Sequence, residues 1–252
     1  MKDLFSVTGK TVLVTGGSRG IGEMIAAGFL ANGAKVYISS RKADACQAAS
    51  ERLMAAYGGE CIPIPADLSK LDAIKAFAED LRGREEKLDV LINNAARDPR
   101  IKFEDVSAKD WDDLFAGNLR GYFLTCREAS PHLAKGASVI NFSSITRFNG
   151  PEEMSTYVAT KAGAIGLSRS LARELGSRRI RVNTISPGWI MTDRQLDEHV
   201  TPAIKRELRK IQCIPDLNQP DEVADVALFL ASDASRAVTG QDILVDRGWR
   251  HG

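Results

Sequence analysis

Histidine and cysteine are scarce in this 252-residue chain, at three and four, and aromatic residues make up only 6%. The cysteines, Cys46, Cys61, Cys126 and Cys213, lie far apart with no C-x-x-C pair, a spacing that suits neither a zinc site nor a disulfide framework. No metal is expected. Charge of one sign is also missing: 34 basic residues face 33 acidic ones, a net charge of +1, so nothing pulls the protein onto nucleic acid or an acidic membrane. The expected partner is a small-molecule substrate. No apolar run approaches the roughly 18 residues needed to cross a bilayer, and the opening Met-Lys-Asp-Leu-Phe-Ser lacks the apolar core of a signal peptide. A cytoplasmic location is expected. Repeats, low-complexity stretches and Pro/Gly/Ser-rich linkers are absent, while 44% hydrophobic and 27% charged residues supply enough material for a large core. One domain over 1–252 is the expectation.

Short β-branched runs alternate with longer segments of helical period, the pattern of strand-helix-strand units and a doubly wound parallel α/β sheet. Seven strands are expected, at Thr11–Thr15, Lys35–Ser39, Cys61–Ile64, Leu88–Asn93, Ser138–Phe142, Arg181–Ile185 and Asp242–Val245. Helical stretches begin at Ile21, Ala43, Leu71, Ala108, Ser155 and Pro220. Between the last two strands, Trp189 to Leu217 is too long for a connector. Because it leaves a carboxyl-end edge where ligands bind in such sheets, it reads as a substrate lid.

Gly16-Gly17-Ser18-Arg19-Gly20-Ile21-Gly22 follows the first strand and opens the first helix. A nucleotide P-loop would need Lys-Ser or Lys-Thr next, and Glu23-Met24 stands there instead, so the phosphate-gripping lysine is missing. A hydrolase elbow fits Gly16-x-Ser18-x-Gly20, and its triad would have to recruit His132, His199 or His251. As a dinucleotide site, the glycines let the backbone approach a pyrophosphate, held by the N–H groups and partial positive charge of the helix N-terminus. The second strand ends Ser39-Ser40-Arg41. A small residue followed by arginine suits the 2′-phosphate of NADP, whereas an acidic residue would suit NAD; with Arg19 as a second guanidinium, NADP is expected over NAD.

Tyr157 and Lys161 stand four apart in the segment beginning near Ser155 and so share one helical face. A tyrosine can move a proton to or from an alcohol, but its usual pKa of about 10 leaves little phenolate at neutral pH. A unit charge about 4 Å away is worth about 4 kcal/mol at an effective dielectric of 20, enough to lower that pKa by roughly two to three units. Lys161 is expected to supply it. Such pairs also arise by coincidence on helix surfaces, and Ser144, a hydroxyl at the end of the fifth strand, is the context that argues for a site.

With Thr15-Gly16-x-x-x-Gly20-Ile21-Gly22, Asn93-Asn94-Ala95, Asn118, Ser144, Tyr157-x-x-x-Lys161 and Pro187-Gly188 in order, the chain resembles the short-chain dehydrogenase/reductase family over essentially its whole length. The resemblance implies a single Rossmann-like domain, a dimer or tetramer, and hydride transfer. It implies Tyr157 as general acid or base, Ser144 orienting the substrate oxygen, Lys161 binding the nicotinamide ribose, and Asn118 holding a water that relays protons. Cofactor contacts are implied at Gly16, Ser18, Arg19, Gly20, Ile21, Gly22, Ser40, Arg41, Asp67, Leu68, Asn94, Ala95, Pro187, Gly188, Ile190 and Thr192, besides Tyr157 and Lys161. Two departures stand out. Ala96 replaces a usual glycine, which requires a backbone that does not depend on glycine, and Arg247 stands in Val245-Asp246-Arg247-Gly248 where Asp-Gly-Gly is common.

The region from Asn93 onward resembles the family's aldose dehydrogenases, which oxidise a sugar to a lactone. Arg97, Asp98, Arg194, Gln195 and His199 would offer donors and acceptors to sugar hydroxyls. The stretch Ser39-Ser40-Arg41-Lys42-Ala43-Asp44-Ala45-Cys46 resembles NADP-dependent ketone reductases such as the 3-oxoacyl carrier-protein reductases. An apolar lid through Trp189, Ile190, Met191, Leu196 and Val200 would fit a hydrophobic ketone instead. A cofactor-binding scaffold without catalysis is a further alternative, against which the intact Ser, Tyr and Lys argue.

Overall fold

The computed structural model describes residues 3–251. Its centre is a seven-stranded sheet in the order β3-β2-β1-β4-β5-β6-β7, parallel at every pairing. The strands are β1 Thr11–Thr15, β2 Lys35–Ser39, β3 Cys61–Pro63, β4 Leu88–Asn93, β5 Leu133–Phe142, β6 Arg181–Pro187 and β7 Asp242–Val245. Connecting them are α1 Gly20–Ala31, α2 Ala43–Tyr57, α3 Leu71–Arg84, α4 Ala108–Phe115, α5 Gly121–Ala129, α6 Thr146–Asn149, α7 Ser155–Leu175, α8 Asp193–Glu198, α9 Pro202–Ile211 and α10 Pro220–Ala231. No helix among the described residues is long and apolar enough to cross a membrane.

Alternation along each strand feeds two cores. Val12 and Val14 point to one face, where Ile25 and Phe29 of α1, Leu53 of α2 and Leu230 of α10 bury them. Leu13 points to the other, against Ile74 and Phe77 of α3 and Leu124 of α5. A strand buried on both faces reads as a continuous apolar run, as β1 does.

Three strand boundaries differ from the sequence expectation, and α1 begins at Gly20 rather than Ile21. β3 ends at Pro63 rather than Ile64, β6 continues to Pro187, and β5 begins at Leu133 rather than Ser138. The early part of β5 was hidden because Gly136, at φ +86, and exposed Lys135 interrupt the apolar pattern, and the register with β4 shifts between Leu88 and Val90.

The strand ends that matter are level. Thr15 pairs with Ser39 and with Asn93, and Asn93 with Asn141. Between β1 and β4 the winding reverses, which opens a crevice beyond their carboxyl ends.

Candidate active site

The glycine turn fills the first side of that crevice. Gly16 and Gly20 hold φ of +71 and +58, a region that side chains strongly disfavour. A Cβ on Gly22 would lie 2.3 Å from the Gly16 carbonyl oxygen, so only glycine lets α1 approach so closely. Asn94 fastens the turn from β4: its Nδ2 donates to the Thr15 carbonyl at 3.0 Å, and its N–H donates to the Thr15 hydroxyl at 3.0 Å. Ala95 N–H shares that hydroxyl at 3.2 Å. The helix itself opens at Arg19 without a side-chain cap. A pyrophosphate fits this cradle, because bare backbone and first-turn N–H groups are what an anion needs there.

The surrounding cofactor positions divide by what their side chains do. Arg19 and Arg41 are exposed, and Arg41 is near enough to Asp67 to help hold that carboxyl below its usual range, although burial opposes the shift and the Ser69 hydroxyl contributes more to it. Ser18 and Ile21 are partly exposed at the turn. Ser40 bonds the Lys42 carbonyl at 3.2 Å, and Leu68 is packed into the core, which leaves that residue's backbone to face a ligand. Pro187 ends β6, and a Cβ on Gly188 would come within 2.8 Å of Asp246 Cβ. Ile190 is core, pinned by a bridge to Asn218, whereas Thr192 reaches back until its Cγ2 is 3.4 Å from where a Cβ of Gly20 would sit. The lid thus begins against the glycine turn. Ala96 avoids positive φ, so the departure from glycine costs no strain.

The reacting corner lies at the ends of β5 and α7. Ser143 Oγ donates to the Lys161 carbonyl at 2.7 Å, which ties the strand end to the helix. Ser144 Oγ accepts from Thr146 N–H at 3.2 Å, and its nearness to the Tyr157 hydroxyl acts to lower that phenol's pKa. Burial acts more strongly the other way and holds the Tyr157 phenol far above its usual value, helped by the Asp98 carboxylate and opposed by Arg194.

Among the described residues, Lys161 makes no hydrogen bond to Tyr157. Its ammonium, 2% exposed, donates to the Phe142 carbonyl at 2.9 Å and to the Tyr122 hydroxyl at 3.2 Å, and lies 5.7 Å from the Tyr157 ring centre. Four-residue spacing puts two residues on one face, but the long lysine stem chooses the buried carbonyl. Burial pushes the Lys161 ammonium down to about 7, with Asp98 acting in the opposite sense.

Asn118 sits in a wide π-turn, Ala116–Arg120, between α4 and α5. Its side chain clasps the backbone of Arg97 in both directions, accepting from the N–H at 2.9 Å and donating to the carbonyl at 2.8 Å. A 3.4 Å bond to Thr160 Oγ1 links it to α7. No motif pointed to Tyr122, which its place four residues after Asn118 brings to Lys161.

The candidate residues of the lid divide by what they touch. Gln195 Oε1 accepts from Trp189 Nε1 at 2.9 Å, and His199 Nε2 lies 3.5 Å from Glu198, so both are engaged within the lid. Arg194 Nη1 donates to Asp98 Oδ1 at 2.5 Å. Met191 and Val200 are buried with Leu208 in the lid's own small core, beside Trp189; of the apolar candidates only Leu196 is exposed. Of the histidines that the hydrolase reading could recruit, His132 precedes the amino end of the parallel β5, whereas Ser18 follows the carboxyl end of β1, at the opposite end of the sheet.

Comparisons with known proteins agree with this geometry. A family model described as enoyl-(acyl carrier protein) reductase matches residues 14–250. The chain is 38% identical over 239 residues to a protein named probable galactose dehydrogenase from Rhizobium meliloti, covering 94% of this chain and 93% of that one. It is 37% identical over 241 residues to a 3-oxoacyl-[acyl-carrier-protein] reductase of Chlamydia trachomatis, covering 95% and 96%. Among solved structures, the Pseudomonas aeruginosa RhlG/NADP active-site complex superposes with a TM-score of 0.91 at 35% identity, over 99% of each chain. With Ser144, Tyr157 and Lys161 gathered beside a glycine turn shaped for a nicotinamide dinucleotide, the chain belongs to the short-chain dehydrogenase/reductase family of oxidoreductases.

Proposed function

We propose that this oxidoreductase uses NADP and oxidises the anomeric carbon of a pentose or hexose to a lactone. The lid carries the choice of substrate: its Met191 and Val200 turn into their own core, while an ion pair, Asp98 with Arg194, faces the Tyr157 corner. A hydrophobic ketone would have to strip water from those charges, which is costly. Exposed Arg19 and Arg41 beside the cradle support NADP over NAD, as guanidiniums suit a 2′-phosphate.

NADP, when bound, supplies the hydride acceptor. Ser144 orients the sugar's anomeric hydroxyl, and Tyr157 takes its proton as hydride leaves the same carbon. Burial disfavours the phenolate of Tyr157, so the phenol must first give up its own proton before it can act as the base, a loss that the neighbouring Ser144 hydroxyl favours. The test is NADPH formation, followed by absorbance, with a panel of aldoses. Tyr157→Phe is expected to lower turnover by about 10²- to 10⁴-fold with NADPH affinity nearly unchanged; a variant that kept most of its rate would overturn the assignment.

A further inference from the structure

Asp98 and Arg194 are 96 residues apart in sequence and meet across the mouth of the cleft. Asp98 stands on the fixed side: the neighbouring Arg97 backbone is gripped by Asn118 at 2.9 and 2.8 Å. Arg194 stands on the lid, in the first turn of α8, with its Nε donating to Glu198 at 2.9 Å. The pair is joined through Asp98 Oδ1 and Arg194 Nη1. Among the described residues, the second carboxylate oxygen and the second terminal nitrogen form no hydrogen bond. Both side chains keep contact with solvent, at 19% and 36% exposure. Their fields reach the reacting corner, since Asp98 acts on both Tyr157 and Lys161 and Arg194 acts on Tyr157.

A free acceptor and a free donor, held side by side, match a particular ligand chemistry. A hydroxyl both gives and receives a hydrogen bond, so two hydroxyls on adjacent ring carbons can bond one to the carboxylate and one to the guanidinium without breaking the pair. We propose that Asp98 and Arg194 are the specificity-determining pair of this site and read two neighbouring sugar hydroxyls next to the carbon that is oxidised. The inference rests on the aldose reading above. It adds that the substrate must present a vicinal diol there.

The experiment compares an aldose oxidised by the wild type with its 2-deoxy analogue, in the wild type, Asp98→Asn, Arg194→Met and the double variant. Hydrogen bonds to charged groups are lost at about 10- to 100-fold each, so the wild type should disfavour the deoxy sugar in kcat/KM by about that factor. Each single variant should raise KM for the parent aldose and erase most of its advantage over the deoxy sugar, with little further loss in the double variant. Arg194→Lys should restore part of the preference, and NADPH affinity, read by fluorescence, should stay near wild type in every variant as a check on folding. Unchanged discrimination in Asp98→Asn and Arg194→Met, with the aldose still oxidised, would overturn the pair's role and leave the sugar reading standing. A wild type that oxidises no aldose while reducing an acyl ketone would overturn both.

Discussion

The glycine turn and the lid face each other across one cleft, and they are held in different ways. The turn is fixed by backbone: positive φ at Gly16 and Gly20, no room at Gly22, and fastenings from Thr15 and Asn94 to main-chain atoms, all resting on an extensive buried core. The lid has a small core of its own, Met191, Val200 and Leu208, and depends on side chains, with Trp189 on Gln195, Arg194 on Asp98 and Arg247 on Asp216. A ligand common to many enzymes is met by main chain, which substitutions barely alter. A substrate that differs between enzymes is met by side chains, which they alter freely.

Disturbing the backbone side should have the largest effect. In Gly22→Ala the new methyl would sit 2.3 Å from a backbone oxygen that cannot move aside cheaply, a strain worth about 3 kcal/mol. Loss of NADPH binding together with a lowered denaturation midpoint is the expected result, and normal binding would contradict the backbone account. Next is a side chain on that same wall. Arg41→Asp places an acid where a 2′-phosphate would lie, and should shift the NADPH-to-NADH affinity ratio about 10- to 100-fold toward NADH, measured by fluorescence titration.

A third test falls between the two regions, at Lys161. Its folded pKa, about 7, lies below its usual 10.5, so the unfolded chain binds the extra proton in the interval. Stability from this group is therefore lowest below about 7 and rises as pH climbs toward 10.5, with a slope of at most about 1.4 kcal/mol per pH unit. The difference between wild-type and Lys161→Met urea midpoints should follow that curve; a flat difference would place the ammonium in water.

The smallest change is expected on the lid side. Arg247 holds φ +56, where glycine would be relaxed, and offsets that strain with ion pairs to Glu222 and Asp216. Its carbonyl also accepts from the N–H groups of Cys213 and Ile214, which close the lid's far end. In Arg247→Gly, relief of strain and loss of the pairs should nearly cancel, leaving stability within about 1 kcal/mol. Trypsin should nonetheless cut faster at Arg206, Arg209 or Lys210 on α9.

The same contrast explains how much could be read from the sequence. The sheet was legible because strands buried on both faces must be apolar, and β1, β2, β4 and β7 fall where the pattern puts them. The glycine turn was legible because its residue types follow from steric exclusion. The bonds of Lys161 to Phe142 and Tyr122 were not legible, because helical spacing fixes where a side chain starts and leaves open where a flexible ammonium ends. The Asp98–Arg194 pair could be named residue by residue, yet its joining was invisible, since only the folded sheet brings positions 96 apart together. Arg247, the departure from Asp-Gly-Gly, has its charge met by internal partners, which only the fold reveals.

The wide turn at Ala116–Arg120 sets the phase of everything after it. Gly121 N–H reaches the Ala116 carbonyl five residues back, so one residue more than an α-helix would use is wound into a single turn. Each helical residue advances about 100°. Tightening this turn into a regular helix with every residue kept would rotate α5 by about that angle, carrying Tyr122 off the Lys161 ammonium and Leu124 and Cys126 out of the core. The irregular turn therefore acts as a timing element, and a regular helix with the same side chains would present the wrong ones.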